Sequence, residues 1–339
     1  MKTKTLFAIA LICAGSALIY ACKKSNSVGS STTTTADVQT QADDEAQVST
    51  ESDDISDDVN TSLYSSVTVS GSSLGTVEGS GRLTTMGITR VDGTVTDSTY
   101  TGLICDATIA VKDSAGIRTV TITYDGTNCA GNRTRTGTVV ITLPTGAFWR
   151  DAGATVSIAI NNLKITRLSD NKVITINGTK TITNVSGGLL IDLANSGPIT
   201  HTITGALSVT FPNGATRTWN ESKQRVFSYN DGIVITTTGT HTDSQNNTDV
   251  AEWGTDRFGT SFESLISEPK VFSQSCSFAL TSGQNTVLSS DGVQAILTYG
   301  LDSSGNPTTT CPLPNGFYYY KLVVTLANGK VYTFIAPYW

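Results

Sequence analysis

The 339-residue sequence predicts an all-β protein: an antiparallel, β-sandwich-like body of two related modules after a disordered N-terminal tether. Three observations carry this expectation. Beyond residue 63, apolar residues alternate with threonines at a period of two. Turn dipeptides punctuate that alternation at short intervals. The order cysteine, strand, turn, cysteine, strand occurs twice.

At the N-terminus, Lys2 and Lys4 precede an apolar or small-residue stretch, Leu6 to Tyr20, that stops at Ala21. This is the layout of a secretory signal peptide over 1–21. The stretch is about 15 residues, short of the roughly 20 that span a bilayer as a helix. The run Leu18-Ile19-Tyr20-Ala21-Cys22 resembles the lipobox read by bacterial type II signal peptidase. That resemblance implies lipidation of Cys22 and makes the membrane a partner through the lipid. Cys13 follows bulky Ile12 and fits less well. Lys23 stands where many inner-membrane lipoproteins carry Asp, so the resemblance implies a lipid anchor in the outer membrane, facing either the periplasm or the cell surface.

Residues 22–62 hold the lipidated cysteine and read as an acidic, Ser/Thr-rich tether. Nine acidic residues fall there, from Asp37 to Asp58, with few bulky apolar ones. Such a segment buries too little surface to offset its ordering entropy. Ile55, Val59 and Leu63 are spaced four apart, which suits one short helix packed on the body. With Lys2, Lys4, Lys23, Lys24 and the nine tether acids set aside, 18 basic and 19 acidic residues remain. No basic stripe is visible along this nearly neutral body, and nucleic acid is not an expected partner.

In the body, Val120, Ile122 and Tyr124 alternate with threonines, and residues 172–176 and 232–238 behave alike. This pattern predicts strands with one face on a core. Asn213-Gly214 and Asn328-Gly329 predict hairpin turns, as do Asp125-Gly126, Asp231-Gly232 and Asp291-Gly292. The length from 63 to 339 exceeds an ordinary sandwich and suggests modules over 63–200 and 201–339.

The duplicated order places Cys105 and Cys129 in one copy and Cys276 and Cys311 in the other. Four cysteines in an oxidising compartment allow three pairings. The repeat favours the disulfides Cys105–Cys129 and Cys276–Cys311. The runs YDGTNCAGNRTRTG (124–137), NGTKTITN (177–184) and FPNGATRTWNES (211–222), with the second cysteine pair, resemble blocks of uncharacterised lipoproteins of Bacteroidota. The resemblance covers most of 105–326. It implies an exported, anchored β protein and no particular chemistry.

Candidate catalytic and binding residues are sparse. Gly71-Ser72-Ser73-Leu74-Gly75 fits G-x-S-x-G but lacks a strand–turn–helix context. His201 and His241 lie in Thr-rich strands and read as surface residues. The wide cysteine spacing and distant histidines give no metal-ligand pattern. Glu221, Glu252 and Glu263 are the carboxylates from which folding could assemble a glycosidase pair. The stretch Asp243 to Asp249 is oxygen-rich but reads as a polar hairpin loop rather than a calcium site. Phe317 to Tyr320, Tyr338 and Trp339 form an aromatic cluster, and Trp149, Trp219 and Trp253 are scattered. Tyr318 and Tyr320 are expected on a core face continued by Leu322 and Val324.

The expectation is a cell-envelope lipoprotein, non-enzymatic, with a binding or structural role and no cofactor or metal. Its partners are the membrane and either a glycan or an envelope protein. One alternative is a carbohydrate-binding or carbohydrate-active surface lipoprotein; another is a fimbrial-type subunit. An integral outer-membrane barrel is disfavoured by the lipobox and by Pro337.

Overall fold

Threonine-rich alternation and turn dipeptides produce fifteen strands that join in one antiparallel sheet. The structure, a computed structural model, describes residues 35–64, 66–71, 97–114, 116–276, 278–311 and 318–338. The expected signal stretch, Cys13, Cys22, Ser73, Phe317 and Trp339 lie outside the described residues. The first strands are β1 (Asp97–Ile104), β2 (Ala107–Ser114), β3 (Ile117–Thr127), β4 (Arg133–Pro144), β5 (Ala154–Arg167), β6 (Val173–Asn184), β7 (Ile199–Thr210) and β8 (Thr216–Tyr229). Then follow β9 (Ile233–Gly239), β10 (Val250–Thr255), β11 (Ser261–Ser273), β12 (Ala279–Ser289), β13 (Gln294–Leu301), β14 (Tyr318–Thr325) and β15 (Val331–Tyr338). Each strand pairs with the next in sequence, except that β10 lies between β8 and β11 and β9 pairs with both of those.

The sheet runs without interruption past residue 200. Thr175–Asn184 of β6 pairs in continuous register with His201–Thr210 of β7. Two separate modules over 63–200 and 201–339 are not what the pairing displays. The turn signals at 213–214, 231–232, 291–292 and 328–329 do lie between paired strands. Asp125-Gly126 does not: it stays inside β3, where the Asp125 amide donates to the Asp106 carbonyl. Where β4 shifts register against β5, Gly137 has φ +126° and a Cβ there would lie 2.5 Å from the Asn162 carbonyl oxygen. Only glycine fits that bulge.

The expected tether is corrected most strongly. From Thr35 to Leu63 the chain is one helix, α1. Val48, Ile55, Val59 and Leu63 line one stripe of it and are buried in the core. The short helix expected around Ile55, Val59 and Leu63 is the last part of this element. A turn at Tyr64 and the four-residue helix α2 (Val67–Ser70) follow. The sheet curls around α1. Residues on opposite sides of the helix reach strands far apart in the sheet: Glu51 and Asp54 meet β4, whereas Asp53 and Asp57 meet β8.

The outer face is largely hydroxylated. One cross-strand row reads Thr119, Thr142, Ser157, Thr181, Thr204, Ser222 from β3 to β8. The inner face holds the main core, including Ile122, Val139, Ile158, Ile176, Ile203 and Phe227.

Candidate functional site

The inward residues of β8 alternate Arg217, Trp219, Glu221, Lys223, Arg225, Phe227, and all are buried. Charges ordinarily face water, but here they face α1. Along the strand, Arg217 Nη2 lies 2.8 Å from Glu45, Lys223 Nζ lies 3.0 Å from Asp53, and Arg225 Nη1 lies 2.8 Å from Asp57. β4 grips the opposite side. Arg133 meets Glu51 at 3.0 Å and also pairs with Asp54; Arg135 meets Asp58 at 2.7 Å. Asp106 accepts two bonds from Arg135, each 2.7 Å. From β6, Lys180 Nζ reaches Ser52 Oγ at 3.0 Å, Ser56 Oγ at 2.7 Å and Glu221 Oε1 at 2.8 Å.

Basic residues thus line up beneath α1, a row that the sequence does not display. It is formed by alternate residues of several strands and is covered by α1. Buried ions are tolerable only when paired and hydrogen-bonded, and this network meets that condition for most of its members. Burial would raise the Asp53 carboxyl, but Lys223 and Arg225 beside it hold it well below the usual range. Glu221 is likewise held low, with burial outweighed by Lys180 and Lys223. Glu45 differs: burial pushes it up to about 7 against the pull of Arg217.

Two of the three candidate carboxylates meet. Glu221 and Glu252 are directly opposite in the β8–β10 register. Both are 1% exposed beneath α1, where Ser52 donates to Glu221 at 2.9 Å and Ser49 to Glu252 at 2.7 Å. Lys223 pairs with both. The pair is sealed and neutralised by ammonium groups, an arrangement that suits holding a helix rather than admitting a substrate. Glu263 points to the outer face, opposite Trp253 in register.

His201 is not a surface residue. It is 1% exposed and packed between Trp149 and Phe227, with ring centroids 5.1 and 4.9 Å away. Neither ring nitrogen has a hydrogen-bond partner among the described residues, and burial pushes its pKa down to about 3, with Arg225 adding to the shift. His241 is half-buried and stacks on Trp253 at 4.1 Å. Asp243 accepts the amides of Gln245 and Asn247 at 2.8 and 2.7 Å, closing a polar loop.

Cys105 and Cys129 form a disulfide, and so do Cys276 and Cys311. The first joins the β1–β2 turn to the β3–β4 loop, next to Asp106 and hence to the Arg135 grip on α1.

The C-terminal aromatics gather on the inner face of β13–β15. Tyr318, Leu322 and Val324 are buried there and Tyr320 is half-buried, on the face the alternation predicts. Tyr338 lies 5.6 Å from Tyr299 and 6.3 Å from both Tyr318 and Tyr320. Its hydroxyl donates to the Leu280 carbonyl and accepts the Gly300 amide at 2.9 Å. The sequence located this cluster. It did not locate the ionic network, whose signal is the period-two spacing of Arg217, Glu221, Lys223 and Arg225. No protein-family model, curated protein or solved structure matches the chain.

Proposed function

We propose that the chain is a cell-envelope lipoprotein, anchored in the outer membrane through Cys22, with a non-enzymatic β body that binds or scaffolds. The observation that carries this reading is the grip of the sheet on α1. The buried cations of β4, β6 and β8 are engaged with the acids and serines of the helix. That helix begins shortly after the anchoring cysteine. Two disulfides are in keeping with an oxidising compartment. The test is fractionation: Cys22→Ser is expected to release the protein from detergent-extractable membrane and to block maturation. A mature Cys22→Ser protein that still sediments with membrane overturns the anchor.

A second reading, glycan binding, is favoured by the tyrosine-bearing inner face of β13–β15. Half-buried rings, with Tyr338 held in place through its hydroxyl, are suited to stacking on sugar. The fimbrial alternative has less support, since a helix rather than a donated strand fills the inner face of β3–β10.

A further inference from the structure

Among the described residues the sheet ends in two strands that pair on one side only, β1 and β15. Such edges present unpaired amides and carbonyls, and proteins blunt them with charge, proline or a bulge. β1 is blunted. Asp97 opens it, and its register breaks between Thr101 and Ile104, where Gly102 has φ +82°. β15 carries no charged residue from Val331 to Tyr338 and no bulge against β14. Its one guard, Pro337, stands next to its end. Val331 is 56% exposed and Ile335 43%.

The hairpin fixes which groups face the open edge. The Leu326 amide donates to the Lys330 carbonyl at 2.9 Å, so these two residues close the β14–β15 ladder as a hydrogen-bonded pair. Hydrogen-bonded and non-hydrogen-bonded pairs alternate from there. Tyr332, Phe334 and Ala336 therefore bond to Val324, Leu322 and Tyr320. Val331, Thr333 and Ile335 turn both amide and carbonyl away from β14. Pro337 falls on the same side, where its missing N–H takes nothing from the β14 ladder.

This edge is complementary to itself. About a two-fold axis at Thr333, antiparallel pairing sets Thr333 opposite Thr333 of a second copy and Val331 opposite its Ile335. Each of these pairs can exchange both hydrogen bonds. Tyr332 then falls opposite Phe334 in the closer, non-hydrogen-bonded pairs, where aromatic neighbours stabilise a sheet. Within one copy these two rings already stack at 6.4 Å and are half-buried. Lys330, whose Nζ lies 4.8 Å from the Tyr332 ring centroid, falls opposite the small Ala336, so no like charges meet. An axis at Phe334 or at Ile335 would instead set Pro337 opposite Val331 or Thr333 and forfeit a donor.

We propose that β15 is a dimerisation edge, pairing antiparallel with β15 of a second copy of this chain in the register centred on Thr333. The sheet then continues from one copy into the next. This pairing is independent of the anchor and of glycan binding.

The test uses the mature full-length protein in detergent, with molar mass measured by light scattering over a concentration series. A dimer is expected. Ile335→Lys sets an ammonium opposite Val331 of the other copy and is expected to raise the dissociation constant at least tenfold. Val331→Lys replaces it as the deciding variant if Ile335→Lys loses the wild-type near-UV circular dichroism. Thr333→Cys reads the register. Hydrogen-bonded partners stand about 5.5 Å apart at Cα, within disulfide reach, so oxidation is expected to cross-link the dimer. Thr99→Cys, at an exposed position on the β1 edge, is expected to give no cross-link. A monomer at every concentration overturns the proposal. So does a dimer unchanged by both lysine variants, or one cross-linked through Thr99→Cys and not through Thr333→Cys.

Discussion

His201 is the residue whose environment makes the sharpest demand. An imidazole between Trp149 and Phe227, with both nitrogens unpartnered, stays neutral in the fold. Its folded pKa of about 3 lies below the ordinary 6.5. The unfolded chain therefore takes up a proton first as pH falls. The stability this group contributes is complete above 6.5 and is lost between 6.5 and about 3. At pH 5 the loss is about 2 kcal/mol, from 1.5 pH units at about 1.4 kcal/mol each. His201→Phe keeps the aromatic packing and removes the titration. Urea midpoints at pH 7 and pH 5 are expected to show the variant losing about 2 kcal/mol less than wild type. Equal losses would mean that the imidazole is protonated in the fold. Glu45 acts in the opposite sense: its carboxyl is raised to about 7, so its contribution fades as pH rises from 4.5 through 7. The comparison between variant and wild type removes that contribution.

At the scale of elements, α1 separates what the sequence made legible from what it did not. Strand alternation, four of the five turn signals and the aromatic face follow from local rules, because a turn or a pleat is decided by neighbours in sequence. Asp125-Gly126 has the same dipeptide yet stays extended, because β3 pairs on both sides. The helix was hidden for a different reason. Glu51, Asp53, Asp54, Asp57 and Asp58 look like solvated charge until Arg133, Arg135, Lys223 and Arg225 are placed against them from 77 to 170 residues away. Composition counts charges, whereas the fold pairs them. A consequence follows for truncation. A chain beginning at residue 63 leaves Arg133 and Arg225 facing an apolar interior without their acids and strips Arg135, Lys180 and Lys223 of their α1 partners, and each broken buried pair costs about 3–5 kcal/mol. That exceeds the total stability of an ordinary domain. The truncated chain is expected to lack a cooperative thermal transition and fixed near-UV signal, and a synthetic 35–63 peptide added in trans is expected to restore both. A truncated chain that melts near the wild-type temperature would show that the ion pairs decorate the fold rather than hold it.

At the scale of the whole molecule, the repeated cysteine order survives as topology without dividing the chain. Cys105 and Cys129 flank β2 and β3 before β4; Cys276 and Cys311 flank β12 and β13 before β14. The two copies differ in what they pack against. The main core takes side chains from β1 through β9 and from β11, whereas Leu297, Leu322 and Val324 of β13 and β14 are buried outside it. β15 alternates exposed and half-buried residues with no fully buried one. Stability is therefore expected to fall toward the C-terminal strands, which also carry the tyrosine-bearing inner face, and binding surfaces are commonly drawn from the less stable end of a fold. Amide hydrogen exchange resolves this. Amides of β4–β8 are expected to exchange only through global unfolding, and those of β13–β15 through a lower-energy local opening. Reducing Cys276–Cys311 lengthens the free loop and is expected to speed exchange in β13–β15 while leaving β4–β8 unchanged. A step in protection between β6 and β7 instead would mean that the chain opens as two modules despite its continuous sheet.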